Sequence, residues 1–273
     1  MVIGRRRPWL LFGLPLALSL AAAAALAQPQ RTVVVAVDDA HPPYVYAQKS
    51  QAAGAYVEVL TAAMRELPGW RLKLVLRPWA RALQEAQQGR VDAFLPPYRE
   101  VNRDWVTVFA GPLHTEEVVL SCAARVRIGP ASRWPEDFAG LRIGTTRAYL
   151  LSHELSAAIG GAQVKHREFR QGRDALAALA HDEIDCYGND ALDIEHSYST
   201  ARADQHWAPR MPGRLEAPFL LSSQKAYLGV STQSLAQRPE LADFVEALNA
   251  RLAQMRASGE IKRLMDEALA LRK

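Results

Sequence analysis

Apolar positions along the chain alternate repeatedly between the two-residue period of strands and the 3.6-residue period of helices. Residues 32–37 are a continuous β-branched run, which predicts a strand buried on both faces. His41-Pro42-Pro43-Tyr44 follows and reads as a loop that proline holds extended. After Gly54, the positions Val57, Leu60, Ala63, Met64 and Leu67 recur at helical spacing until Pro68-Gly69 stops the helix. Leu72, Leu74 and Leu76 alternate as a strand ended by Pro78; a helix from about 81 to 88 closes on Gly89, and residues 91–95 form the next strand. This β-α-β-α-β order implies a mostly parallel sheet with helices on both faces.

The pattern then returns. Residues 141–145 read as strand, 150–159 as helix, 164–169 as strand, 174–181 as helix and 184–187 as strand. Gly89-Arg90-Val91-Asp92-Ala93-Phe94 resembles Asp182-Glu183-Ile184-Asp185-Cys186-Tyr187, and each follows an amphipathic helix carrying an Ala-Leu pair. The spacing suggests two copies of one α/β unit and so two similar lobes. Residues 227–231 read as a further strand. Leu241, Phe244, Val245, Leu248, Leu252 and Met255 then form a helical stripe, Gly259 caps it, and 261–271 continues as a second helix.

The N-terminus changes the picture of where the protein works. Arg5, Arg6 and Arg7 precede an apolar run from 9 to 26 that ends in Ala25-Leu26-Ala27, the layout of a cleaved secretory signal over residues 1–27. No cysteine follows the run, so lipid attachment is not expected. Cleavage removes three arginines and no acidic residue, lowering the formal charge from +4 to +1. The remaining basic residues are interspersed with acids, which argues against a nucleic-acid footprint. Cys122 and Cys186 are the only cysteines and lack a histidine cluster beside them, so no metal or other cofactor is expected. An exported location permits a disulfide, and two buried thiols are an equal alternative.

Several spaced motifs together resemble the family 3 bacterial solute-binding proteins. They are the opening strand with Pro42-Pro43-Tyr44, Gly54, Pro78-Trp79-Ala80-Arg81-Ala82-Leu83, Gly89-Arg90-Val91-Asp92-Ala93, Arg103 with Phe109 and Pro112, Leu141-Arg142-Ile143-Gly144, Ile184-Asp185 and the last helices around Gly259. The resemblance implies an α/β fold of periplasmic-binding-protein type II. Lobe 1 would hold 28–115 and 225–273, lobe 2 would hold 119–217, and the hinge would comprise 115–119 and 217–225. It further implies a periplasmic monomer that takes an amino acid or related carboxylate into the interlobe cleft for an inner-membrane ABC permease.

The same resemblance places Arg103 at the family's carboxylate-binding arginine, where a planar guanidinium grips a carboxylate through two hydrogen bonds. Asp190 falls where a matching acid takes the ligand's ammonium, with Asp193 near enough to exchange with it; a helix cap is the structural alternative. Trp79 occupies the position of a stacking aromatic, while Tyr44, Arg81 and Tyr149 are further pocket candidates and His41 a weaker one. The chain also departs from the family. Pro96-Pro97-Tyr98-Arg99-Glu100 replaces a Ser/Thr-rich stretch, and Arg147-Ala148-Tyr149-Leu150 replaces a Gly-Ser/Thr loop. Trp79 with Arg81, and Tyr149, look more like a Pro-Trp-x-Arg proteobacterial branch, and the departures weaken the amino-acid assignment. An enzyme resembling cyclohexadienyl dehydratase, with Glu100 or Asp190 as its acid, and a sensory binding module are the competing expectations.

Overall fold

The computed structural model describes Met1 and residues 30–99 and 103–270. The expected signal segment, Glu100 and the end of the last helix at 271 lie outside them. Strand β1 (Arg31–Asp38) is the scaffold's first element, and both of its faces are covered, as a continuous β-branched run requires. Val33, Val35 and Val37 pack toward α1 (Ala55–Met64), whereas Ala36 packs toward α2 (Trp79–Gln87). Strands β5 (Trp70–Arg77) and β6 (Ala93–Leu95) flank β1, and both run parallel to it.

The second half repeats this arrangement. Strand β8 (Arg142–Thr146) lies between β9 (Lys165–Phe169) and β10 (Cys186–Asp190), parallel to both. Helices α3 (His153–Gly160), α4 (Gly172–Ala180) and α5 (Ala191–Ala203) surround it. The internal sequence similarity has a physical basis. Asp92 accepts the Val34 backbone N–H at 2.7 Å and pairs with Arg238 at 2.8 Å. Asp185 likewise accepts the Arg142 backbone N–H at 2.8 Å and pairs with Arg142 and Arg125. In each half the aspartate fastens the start of one strand to its parallel neighbour.

Two long antiparallel strands join the halves. β7 (Val106–Cys122) carries the chain outward and β11 (Phe219–Ser231) carries it back, giving the sheet order β5-β1-β6-β11-β7-β10-β8-β9. The segments expected as hinge, 115–119 and 217–225, fall largely inside these two strands, and β11 has register shifts at Leu220/Ser222 and Ala226/Leu228. β7 had no counterpart in the sequence pattern, and β11 extends eight residues before the expected strand start at 227. Ser222, Ser223, Gln224 and Lys225 break the apolar alternation there, and pairing with β7 supplies the stability that apolar burial does not.

Other boundaries also shift. The loop expected at 41–44 is the turn at 42–44 between β2 (Ala40–His41) and β3 (Val45–Gln48), which form a small antiparallel sheet with β4 (Gln51–Ala53). Helix α3 begins at His153 rather than 150, because Ser152 accepts the Leu155 N–H at 3.1 Å and caps it there. Cys122 and Cys186, directly opposed in the β7–β10 register, form a disulfide. The C-terminal stripe folds as α7 (Leu241–Ala257) and α8 (Glu260–Ala270) after the short α6 (Thr232–Gln237), with Gly259 at positive φ between α7 and α8.

Candidate functional site

The parallel strands of both halves direct their carboxyl ends toward one cleft, the place where open α/β sheets present ligand-binding groups. From the first half come Asp38 at the end of β1, His41 at the end of β2, Trp79 at the start of α2, and Pro96 and Tyr98 just past β6. The second half contributes Tyr149, Leu150 and Leu151, which follow the turn after β8 and precede the Ser152 cap. With Arg103 these residues line one narrow cleft.

Arg103 is only 6 % exposed, and its guanidinium lies 5.7 Å from the centre of the Trp79 ring. Trp79 is the first residue of α2 rather than part of a loop, with Pro78 before it in an extended conformation. Its indole packs on Phe94 with centroids 5.9 Å apart, so the ring is both a core anchor and a cleft wall. On the facing side Tyr149 donates its hydroxyl to Asp38 at 2.6 Å, joining the two halves. Burial pushes the Asp38 carboxyl up to about 6, against the opposing pull of His41, the Tyr149 hydroxyl and the Ala40 N–H.

Behind this wall lies a second, fully enclosed group of polar side chains. Glu116, midway along β7 and 0 % exposed, accepts the hydroxyls of Tyr56 and Tyr98 and faces His41 Nε2 at 3.2 Å. Burial raises its carboxyl, but the His41 charge and these hydrogen bonds outweigh that and leave it below its ordinary 4.5. His41 Nδ1 lies 2.8 Å from Asp193 on α5. Burial opposes the imidazolium, yet its carboxylate neighbours hold the ring well above the usual 6.5. Gly54 places Tyr56 in this group. At φ +126° it lets α1 begin against the Tyr44 carbonyl, where a Cβ would stand 2.2 Å from that oxygen. Tyr44 then stacks on Tyr56 with centroids 5.0 Å apart.

Of the six residues singled out in the sequence, the cleft brings together Arg103, Trp79 and Tyr149. Tyr44 sits behind it, 5.1 Å from His41 and with its hydroxyl facing Asp190. Asp190 is 1 % exposed and caps α5, accepting the N–H groups of Leu192 and Asp193 at 2.9 and 3.0 Å, and that of Glu117 at 3.1 Å. Burial and the nearby Glu116 charge push it up to about 7. Arg81 points away from the cleft and pairs with Glu85 at 2.8 Å, its side chain half exposed on the outer face of α2.

Sequence reasoning passed over Asp38, Tyr98 and Glu116. Asp38 had a usable signal, since it ends the first predicted strand, where the cleft of such a sheet opens. Glu116 had none, because its strand was not visible in the apolar pattern.

Residues 33–269 match the family model of bacterial extracellular solute-binding proteins, family 3. The chain belongs to this family. Comparison with curated proteins gives no match. Among solved structures, a histidine kinase sensor domain with similarity to periplasmic binding proteins matches with TM-score 0.70 and 21 % identity, over 88 % of this chain and 96 % of that one. An amino acid ABC transporter substrate-binding protein, AbpA from Streptococcus pneumoniae bound to L-arginine, matches with TM-score 0.65 and 16 % identity, over 88 % and 94 % of the two chains. The ancestral amino acid-binding protein AncCDT-1, a precursor of cyclohexadienyl dehydratase, gives TM-score 0.61 and 17 % identity, over 87 % and 95 %. At these identities the likeness is one of fold. The family 3 architecture explains why the cleft lies between two similar halves, with β7 and β11 as the paired strands that run from one to the other among the described residues.

Proposed function

We propose that the chain is an exported periplasmic protein that captures a small carboxylate-bearing solute, an amino acid or a close relative, and delivers it to an inner-membrane ABC permease. The observation that carries this reading is Arg103, a buried guanidinium set against the Trp79 ring in the cleft wall. A guanidinium there offers a carboxylate two parallel hydrogen bonds, and the indole covers an apolar part of the solute and keeps water out. Asp38 takes the role of acceptor for a cationic group of the solute because it lines the cleft, whereas Asp190 lies behind it, capping α5 through Oδ1 and accepting the Glu117 N–H on Oδ2. The AbpA structure, described as bound to L-arginine, supports an amino acid as the solute class.

Capture closes the halves about the middle of β7 and β11, a population shift driven by contacts that only the closed form makes. A thermal-shift screen of amino acids, dicarboxylates and small amines, followed by calorimetry, tests the assignment. A solute at a hundredfold excess over its dissociation constant adds about 2.7 kcal/mol of apparent stability. Sensing is the second reading, favoured by the likeness to a histidine kinase sensor domain. It predicts the same binding, with the occupied protein engaging a signalling partner in place of a permease.

A further inference from the structure

The group behind the cleft wall is arranged around one ring. His41 is 3 % exposed, and each of its nitrogens faces a carboxylate on a different element: Nε2 faces Glu116 on β7, and Nδ1 faces Asp193 on α5. The donors around these carboxylates decide the proton count. Glu116 already accepts two tyrosine hydroxyls, from Tyr56 and Tyr98, so its oxygens are acceptors toward His41 as well. Asp193 accepts the Ser197 hydroxyl at 3.0 Å on one oxygen and presents the other to His41. A neutral imidazole would turn a lone pair toward one of these acceptors; only an imidazolium satisfies both. The other titratable groups around the ring are Asp38 on β1, Asp190 at the cap of α5, Tyr44 with its ring 5.1 Å away and Tyr149 edge-on at 5.7 Å. Two further imidazoles bear on the same carboxylates, His114 on Glu116 and His196 on Asp193, and burial lowers both below the ordinary 6.5, whereas His41 is held above it. Among the described residues no group of His, Cys, Asp and Glu is arranged to hold a metal ion.

We propose that His41 is the protein's own occupant of a cation site: its imidazolium fills the acidic well made by Glu116 and Asp193. There it ties α5 of the second half to the strand between the halves, and it bars the cationic group of an incoming solute from that well. The barring of a solute rests on the capture reading; the occupancy itself does not. Burying two carboxylates without a counter-charge is costly, so a chain lacking this ring would have to draw a cation from solution. Specificity follows from the same arrangement, since the amino or guanidino group of a solute is left with Asp38 as its acceptor in the cleft.

Chemical rescue tests the occupancy without any solute. In His41→Ala, imidazole is expected to raise the melting temperature saturably while leaving the wild type unchanged. Methylammonium is expected to do the same, whereas pyrazole, a neutral ring of the same shape, is not. Equal rescue by pyrazole would show that the well is merely a hole to be filled, and the cation assignment would fall. No difference between variant and wild type in imidazole would overturn it as well. Should His41→Ala not fold, ring-nitrogen NMR of the wild-type protein decides, with His41→Gln used to assign the signals. Both nitrogens protonated at pH 8 is the expected result, and a neutral tautomer at that pH contradicts the proposal. A wild-type protein that binds no solute while its variant binds imidazole would remove the capture reading and leave this one standing.

Discussion

The Tyr149 hydroxyl donates to the Asp38 carboxylate at 2.6 Å, and the two residues belong to opposite halves of the molecule. This bond and the His41–Asp193 pair are polar contacts that join the two halves across the cleft. Tyr149→Phe removes a hydrogen bond to an ionised group, a loss of roughly 1.5–3 kcal/mol. We predict that the solute-free variant populates a more open form, seen in small-angle scattering as a larger radius than that of the wild type. An unchanged radius would mean that the shut form is held by other contacts.

Asp190 gives a pH-dependent prediction. Its folded-state value of about 7 lies above the ordinary 3.8, so the folded state binds its proton more tightly. Stability from this group is therefore fully present below 3.8 and is lost as pH rises through 7. Asp38, at about 6, acts with the same sign. Glu116 acts oppositely, and its contribution is lost as pH falls below 4.5. Asp190→Asn keeps a capping oxygen and removes the titration. Between pH 7.5 and 5 the stability difference should shift toward the wild type by on the order of 2 kcal/mol, read from urea unfolding at each pH. A pH-independent difference would contradict it.

The Cys122–Cys186 disulfide closes a loop with a sequence separation of 64 residues. Chain entropy assigns such a loop a stabilisation of about 4 kcal/mol, at the upper end of the usual 2–4 kcal/mol. Urea unfolding with and without reductant should show a loss of that order, and the double variant Cys122→Ala/Cys186→Ala should match the reduced protein.

Asp185 anchors Arg125 and Arg142 and accepts a strand N–H, and these bonds hold its carboxyl well below the ordinary range. Asp185→Asn should cost roughly 1.5–3 kcal/mol, a figure for a part-screened charged hydrogen bond. Solute affinity should be unchanged, because Asp185 lies at the opposite end of β10 from the cleft. Unfolding and calorimetry on one preparation check both halves of this expectation.

These residues also show how much of the molecule could be read in advance. The parallel strands and amphipathic helices were legible because burial imposes a period, and the Asp92–Asp185 likeness was legible because both aspartates do the same job. β7 was not, since a strand half in each lobe changes its surroundings along its length and shows no steady alternation. The cleft was legible in part. Arg103, Trp79 and Tyr149 reach it from predicted positions, whereas Glu116 acquires meaning only when Tyr56, Tyr98 and His41 are brought to it from distant segments.

Arg103 is proposed to grip a solute carboxylate with both arms of its guanidinium. Titration calorimetry of wild type and Arg103→Lys, using the solute that gives the largest thermal shift, tests it directly. Lysine keeps the charge but loses the paired geometry, so affinity should fall by roughly 10- to 150-fold, equivalent to about 1.5–3 kcal/mol. The same solute as its methyl ester or amide should bind both proteins weakly and alike. If Arg103→Lys binds the free acid as tightly as the wild type does, the carboxylate is held elsewhere and the account of this cleft is wrong.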